Sequence, residues 1–405
     1  MIEDLLGAMD RAINAMERRT DRGVEVLHHN DADGLSSGAI LTRAFERKGL
    51  SVHRVCLEKP YPAVLERIFE DQGRLIVLTD FAGRIAPLIS ELNRGRNLVL
   101  ILDHHKAEAI DDESVHLLDP ELFGLRGDRD ITASTTCYLF ACRLDPGNAD
   151  LARIATIGAV GDRFFVAGRL AGPNRDAALE TVRQGLLKIE EEDGRERYVL
   201  LTPAGPAPCE TLARDLDTFG GAGYHRGGTE IGIGVCLEGP SPRSDDVLEE
   251  LRTLQNRLFN EEIRRLREEG WRQTENVQWL HVHSRFRPMG VKMIGAFLDA
   301  VRNTGDVDPD RYLAGFQVVP DEIPGIGTFD FNQVKISMRV ADPMEECIRS
   351  GDVLGLDILL PEATARVGGF SDACHSLTAA TTVAVGREEE LIEEMERILS
   401  GRGCG

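Results

Sequence analysis

The sequence is poor in aromatic residues, which make up 5% of it and include two tryptophans. A surface of stacked rings for gripping bases is therefore not its main device. Paired cysteines are missing too: the eight cysteines are scattered, with no Cys-x-x-Cys among them. That excludes a zinc ribbon and a disulfide framework, and leaves the cysteines as small buried apolar residues. No apolar run approaches the roughly 20 residues needed to span a bilayer. The acidic start Met1-Ile2-Glu3-Asp4-Leu5 lacks the basic region of a signal peptide. A cytoplasmic location away from membranes is the expectation. Positive charge is also short, the formal net charge being −21. Bulk duplex binding relies on Lys and Arg neutralising phosphates, so it is not expected here. The basic residues are nearly all Arg, which suits bidentate phosphate contacts, although GC-rich coding produces the same bias.

What is present begins with a chain of 405 residues, too long for one typical core and suited to two or three domains. Its 42% apolar and 28% charged residues fit a globular protein. Apolar runs at 23–28, 51–57, 74–79 and 97–102 alternate with helical patterns at 34–48, 61–70 and 84–94. This β-α-β-α-β order predicts an α/β, doubly wound parallel sheet. Helical patterns follow at 131–145 and 148–161. Residues 174–260 read as mostly helical, interrupted by a glycine-rich stretch at 220–228, and 244–270 as one long charged helix. From about 277, strands at 277–282, 312–319, 334–340 and 381–385 predict a smaller C-terminal α/β domain. The boundaries expected are 1–190 for a first domain, 191–276 for a helical linker and 277–400 for the last domain.

Three N-terminal runs end abruptly in metal-type ligands. Val24–Leu27 runs into His28-His29-Asn30-Asp31-Ala32-Asp33-Gly34, Leu75–Thr79 into Asp80, and Leu98–Leu102 into Asp103-His104-His105. Parallel sheets bind ligands beyond the carboxyl ends of their strands, so these residues are expected at one sheet edge. Asp31 and Asp33, two apart in extended chain, face one side and can each hold a different cation. Asp80 can bridge both, His104 offers an imidazole, and Asp103 can orient it. Asp162, after Gly161, can complete the shell of the second ion. Each piece alone is an ordinary turn or strand cap; the ordered set is what points to two divalent ions. Mixed carboxylate and imidazole donors suit Mn2+ or Mg2+ better than Zn2+. Two such ions clamp an in-line phosphoryl displacement. His105 can then hydrogen-bond the phosphate or protonate the leaving group, and the residues do not choose between these roles.

His-Asn-Asp-Ala-Asp-Gly, the isolated Asp after a strand, Asp-His-His and the later Gly-Asp resemble the four motifs of the DHH phosphoesterase superfamily. The resemblance implies two-metal ligands at Asp31, Asp33, Asp80, His104 and Asp162. It also implies a further histidine just upstream of the Asp pair, either His28 or His29, with His29 preferred. Lys335–Arg339 and Val367-Gly368-Gly369-Phe370 resemble the DHHA1 substrate-binding domain, with Phe370 where that signature carries His. A histidine follows at His375, ahead of Ala379-Ala380. Gly223–Gly228 resembles a stretch of archaeal RecJ-like exonucleases.

Read from the residues themselves, Ser337 and Arg339 lie two apart on a strand and can grip one phosphate. Gly368 and Gly369 allow backbone N–H groups to approach an anion, and Arg226 can reach in from the glycine-rich linker. Trp271, Trp279 and Phe286 read as anchors of a domain junction, and His281 and His283 as structural or solvent-facing. The resemblance implies a Mn2+-dependent exonuclease that releases mononucleotides from single-stranded DNA or RNA. Two alternatives stand beside it: hydrolysis of short oligonucleotides or signalling nucleotides, as in nanoRNase-type relatives, and a scaffold among replication-complex proteins.

Overall fold

A computed structural model of the chain describes residues 1–202 and 205–402. The chain folds into two compact units, Met1–Leu251 with Pro324–Ile326, and Arg252–Ile323 with Gly327–Gly405. The division falls inside one long helix, whereas the sequence pattern sets boundaries at 190 and 276.

The first unit opens with α1 (Ile2–Glu17) and then alternates β1 (Gly23–His28), α2 (Ala32–Arg47), β2 (Ser51–Cys56), α3 (Pro62–Ile68), β3 (Leu75–Thr79), α4 (Ala86–Asn93) and β4 (Leu98–Leu102), closed by a short β5 (Val115–Leu117). The five strands lie in the order β2-β1-β3-β4-β5, and every pairing is parallel. All five residues of β3 are buried, as befits a strand covered on both faces. The strand order reverses on either side of β1, because β2 lies to one side of it and β3 to the other. Such a switch point opens a crevice at the carboxyl ends of the strands. Asp80 directly follows β3 and Asp103 directly follows β4, with their carboxylates at that edge.

Four more helices follow, α5 (Ala133–Leu144), α6 (Ala152–Gly161), α7 (Gly172–Arg183) and, later, α8 (Cys209–Gly221); α5, α6 and α8 pack against α2, and α7 against α6. Between α7 and α8 lies a three-stranded antiparallel sheet, β6 (Leu187–Glu192), β7 (Arg195–Thr202) and β8 (Gly205–Pro208). The helical reading of 174–260 does not foresee it. The signal was Asp193-Gly194, both with positive φ, the two-residue turn that joins twisted hairpin strands. Charged residues on both strands obscured the alternation. The unit continues through α9 (Gly228–Glu238) into α10 (Pro242–Glu269).

The second unit carries β9 (Arg272–Gln273), β10 (Val277–His281), α11 (Met293–Val301), β11 (Tyr312–Val318), the small pair β12 (Glu322–Ile323) and β13 (Gly327–Thr328), then β14 (Gln333–Arg339), α12 (Asp342–Ser350), α13 (Leu356–Arg366), β15 (Phe370–Cys374), β16 (Ala379–Ala384) and α14 (Glu388–Arg402). Its six-stranded sheet runs β15-β16-β14-β11-β10-β9. Only β10 and β11 pair in parallel. Trp279 packs in its core with Phe316, Ile336 and Leu359. Among the described residues, no helix is long and apolar enough to cross a membrane.

Candidate metal centre

The loop after β1 turns sharply into α2, and its tightness is enforced from behind. A Cβ at Gly34 would stand 2.5 Å from the His29 carbonyl, and one at Gly220 of α8 would stand 1.6 Å from the Asn30 carbonyl. Asn30 Nδ2 also donates to the Gly220 carbonyl at 2.9 Å. The glycines of this chain therefore hold the loop through close backbone approach. Asp31 caps α2, its Oδ1 accepting from Gly34 N at 3.0 Å. Asp217 accepts from Ala32 N at 3.1 Å.

The two histidines before the Asp pair have different fates. His28 ends β1 with its side chain inward, against the position a Cβ on Gly38 would occupy. Burial pushes its pKa down to about 4, so it is a neutral core residue. His29 Nδ1 stands 2.7 Å from Asp31 Oδ2 and 3.4 Å from Asp80 Oδ2. His29, Asp31 and Asp80 thus present ligand atoms that all lie within 4.8 Å of one another.

A second group of the same tightness comprises Asp33, His104 and Asp162. His104 Nε2 lies 3.4 Å from Asp80 Oδ1, 3.4 Å from Asp162 Oδ2 and 4.0 Å from Asp33 Oδ2. Asp80 therefore turns one oxygen to each group. Its φ of 65° places it in the left-handed region, tolerated by Asp better than by most residues. Asp33 is seated at the N-terminus of α5, where Ala133 N and Ser134 N donate to its two oxygens at 2.8 and 3.1 Å. His104 Nδ1 donates to the Gly127 carbonyl at 2.7 Å. That bond fixes the ring and aims Nε2 into the cluster.

The electrostatics are those of a site suited to cations. Burial, with the Asp80 charge added, pushes Asp33 up to about 7. Burial and the Asp33 charge hold Asp162 well above the carboxylate range. Burial opposes a charge on His104, but Asp80, Asp162 and Asp33 outweigh it and raise its pKa well above the imidazole range. The buried atoms Asp80 Oδ2, His104 Nε2 and Asp162 Oδ2 have no hydrogen-bond partner among the described residues. Unsatisfied buried polar atoms converging on one point are costly, and divalent cations held by oxygen and nitrogen donors would relieve that cost. The residues present fit two such ions.

Beside this cluster, Asp103 accepts from Gly83 N and His104 N, both at 2.8 Å, and from His105 Nδ1 at 2.8 Å. Burial would raise its pKa, but the charge and hydrogen bond of His105 outweigh that and lower it. Reciprocally, burial disfavours a charge on His105, and Asp103 overcomes this to raise its pKa. Asp119 was not foreseen. It is fully buried and caps a short 3-10 turn by accepting from Glu121 N at 3.0 Å. Burial and the Asp103 charge push it up to about 8. Its sequence context, Asp119-Pro120, reads as an ordinary turn, and only the fold brings it to Asp103.

The other sequence candidates lie elsewhere. Arg226 is exposed in the short turn between α8 and α9, and no contact joins it to the cluster among the described residues. Ser337, Arg339, Gly368, Gly369 and His375 belong to the second unit. Ser337 and Arg339 do share a face, over Gly295 of α11, with Arg339 Nε donating to Asp299 at 2.8 Å. Gly368 N and Gly369 N donate to the carbonyls of Ala365 and Thr364 at the end of α13. Those N–H groups are committed there and are not offered to an anion. His375 is exposed in the turn joining β15 to β16.

Residues 24–159 match the DHH family, N-terminal domain. An uncharacterized protein of Methanocaldococcus jannaschii is 34% identical over 169 residues, which is 41% of this chain and 38% of that protein. The match thus spans less than half the length of that curated relative. Among solved structures, a DHH domain described as a member of a family of ribosomal proteins superposes with a TM-score of 0.61 at 16% identity, over 98% of this chain and 91% of that one. RecJ from Thermus thermophilus, in complex with Mn2+, superposes with a TM-score of 0.60 at 16% identity, over 97% of this chain and 55% of that one. At these identities the likeness is one of fold.

Proposed function

From an N-terminal lobe that matches the DHH family over residues 24–159, we propose that this chain is a metal-dependent phosphodiesterase that hydrolyses single-stranded nucleic acid from an end and uses Mn2+, with Mg2+ as the alternative ion. The observation that carries the reading is Asp80, one buried carboxylate standing between the ligand groups His29–Asp31 and Asp33–His104–Asp162. Cations held there would supply Lewis acidity, offsetting charge on the phosphoryl oxygens and making an attacking water more acidic.

The chain's own residues supply the rest. Asp33 is fixed by the N-terminal amides of α5, and His104 by the Gly127 carbonyl, so ligand atoms need little reorganisation. Asp103 accepts from His105 Nδ1 at 2.8 Å and favours the charged ring. The His105 Nε2 is then the group that protonates the leaving oxygen. In the second unit, Ser337 and Arg339 are the proposed phosphate contacts. Retention of every carboxylate and imidazole in the cluster weighs against a purely scaffolding role.

The test is cleavage of end-labelled DNA and RNA of graded length with Mn2+, Mg2+ or chelator, alongside the Asp80→Asn variant. Stepwise release of mononucleotides from long single strands is expected, lost in the variant. Turnover confined to dinucleotides would replace the exonuclease with a short-oligonucleotide hydrolase. No turnover at any length would overturn the reading.

A further inference from the structure

A second feature of the first unit lies beside Asp162 and is not accounted for by the metal ligands. It is a cavity of about 670 Å³ whose wall includes Gly161, Arg163, Phe165, Arg195, Arg197 and Arg214. That volume lies within the range of sites that enclose small ligands. In a chain of net charge −21, a hollow lined by four arginines against the three carboxylates of Glu196, Glu210 and Asp217 has a positive balance.

The hairpin β6–β7 builds this wall. Its strands pair in register, Glu192 opposite Arg195 and Glu190 opposite Arg197. Arg195 and Arg197 are two apart and share a face, while Glu196 and Tyr198 take the other. That other face is tied down. Glu196 accepts from Arg175 through both guanidinium nitrogens and from the Tyr198 hydroxyl at 2.6 Å, and the same hydroxyl accepts from Leu170 N at 2.9 Å. Glu196 N also donates to the Gly168 carbonyl at 2.8 Å. The loop 163–169 and the hairpin are therefore one fixed piece. Arg163 leaves α6 with a φ of 60° and follows Asp162 directly.

The charges do not cancel within the cavity. Glu196 is satisfied by Arg175, Asp217 accepts from Ala32 N, Arg197 is paired with Glu192 at 2.8 Å, and Glu210 brings one buried carboxylate oxygen to the wall. Arg214 donates to the Glu210 carbonyl and the Thr211 hydroxyl. The guanidinium groups of Arg163 and Arg195 make no hydrogen bond or ion pair among the described residues. Both are solvent-exposed, so their uncommitted forks are open to the oxygens of a phosphate. Phe165, half-buried in the same wall, offers an aromatic face of the kind on which bases stack.

We infer that this cavity binds the sugar-phosphate backbone of a single strand next to the phosphate undergoing hydrolysis, with Arg163 and Arg195 on phosphate oxygens and Phe165 against a base. The inference deepens the function proposed above and rests on it for the identity of the strand. It locates part of substrate recognition in the first unit, on the hairpin, separately from Ser337 and Arg339.

The experiment measures fluorescence anisotropy of a phosphorothioate oligodeoxythymidylate about ten nucleotides long, titrated with full-length protein over a series of salt concentrations. Three proteins are compared: the natural chain, Arg163→Asn/Arg195→Ala, and a charge-matched control, Arg143→Ala/Arg183→Ala, whose arginines pair with Asp10 and Glu180 elsewhere. Asn is chosen at 163 because it tolerates positive φ. The first variant is expected to bind about tenfold more weakly, and its log Kd against log salt should be shallower by about 1.4, the value for two lost phosphate contacts on a single strand. The control should match the natural chain. An unchanged affinity and slope in the first variant, or an equal loss in the control, would overturn the inference. Its failure is distinct from failure of the hydrolase reading, which would show as no cleavage of unmodified end-labelled strands by the natural chain, whatever their binding.

Discussion

Filling the centre with metal must expel protons, and the structure says from where. A cation site needs its carboxylates ionised and its imidazole neutral at the ligating nitrogen. In the metal-free protein three ligands are held in the opposite state: Asp33, with a pKa of about 7, Asp162, well above the carboxylate range, and His104, well above the imidazole range. At pH 6 Asp33 alone is mostly protonated, so it releases about one proton on loading. Asp162 and His104 add to that for as long as the pH stays below their raised values. Each proton makes apparent Mn2+ affinity fall about tenfold per pH unit on the acid side. Isothermal calorimetry at pH 6, in two buffers of different ionisation enthalpy, reads the number directly. At least about one proton per chain should be released, and Asp33→Asn should release fewer. Heats that are identical in the two buffers would refute the reasoning.

The same shifts make metal-free stability depend on pH with a definite sign. Asp33 has a folded pKa above its unfolded one, so its protonated form favours the fold, and stability declines as pH rises from about 4 to about 7. His104, also raised, contributes stability below the ordinary imidazole value that is lost as pH rises through its higher folded value. Metal-free Tm should therefore fall on raising the pH through this window and recover with Mn2+; a flat or rising metal-free Tm would contradict it. His105→Gln should slow hydrolysis about a hundredfold or more on a natural phosphodiester, and far less on a nitrophenyl ester, whose leaving group needs no proton; equal losses would remove His105 from proton delivery. Gly158→Ala places a Cβ 2.3 Å from Ser134 Oγ and 2.5 Å from Asp33 Oδ1. It should cost about 1–3 kcal/mol of stability and weaken Mn2+ uptake, and wild-type values in thermal melts and calorimetry would argue against that packing.

Much of this was legible in the sequence, because its physical causes are local. Buried parallel strands are short runs of Val, Ile and Leu, and β1, β3 and β4 each end at the residue where a carboxylate or imidazole begins. The switch point then follows from topology. The choice between His28 and His29 was not legible, since it depends on which ring meets Gly38 and which meets Asp80. Asp119 was hidden for a related reason: its role arises from its closeness to Asp103, which no sequence spacing encodes. The hairpin β6–β7 was written in Asp193-Gly194, but the glutamate and arginine runs beside it carry no apolar alternation. The Gly220-Gly221 stretch read as a break in a helical region. In the fold its first glycine lies within α8, because nothing larger can approach the Asn30 carbonyl.

The most direct measurement is anomalous X-ray scattering from crystals soaked in Mn2+. The account predicts two manganese peaks per chain, one among His29, Asp31 and Asp80 and one among Asp33, His104 and Asp162, with Asp80 touching both. Absence of both peaks, or manganese bound away from Asp80, would contradict it.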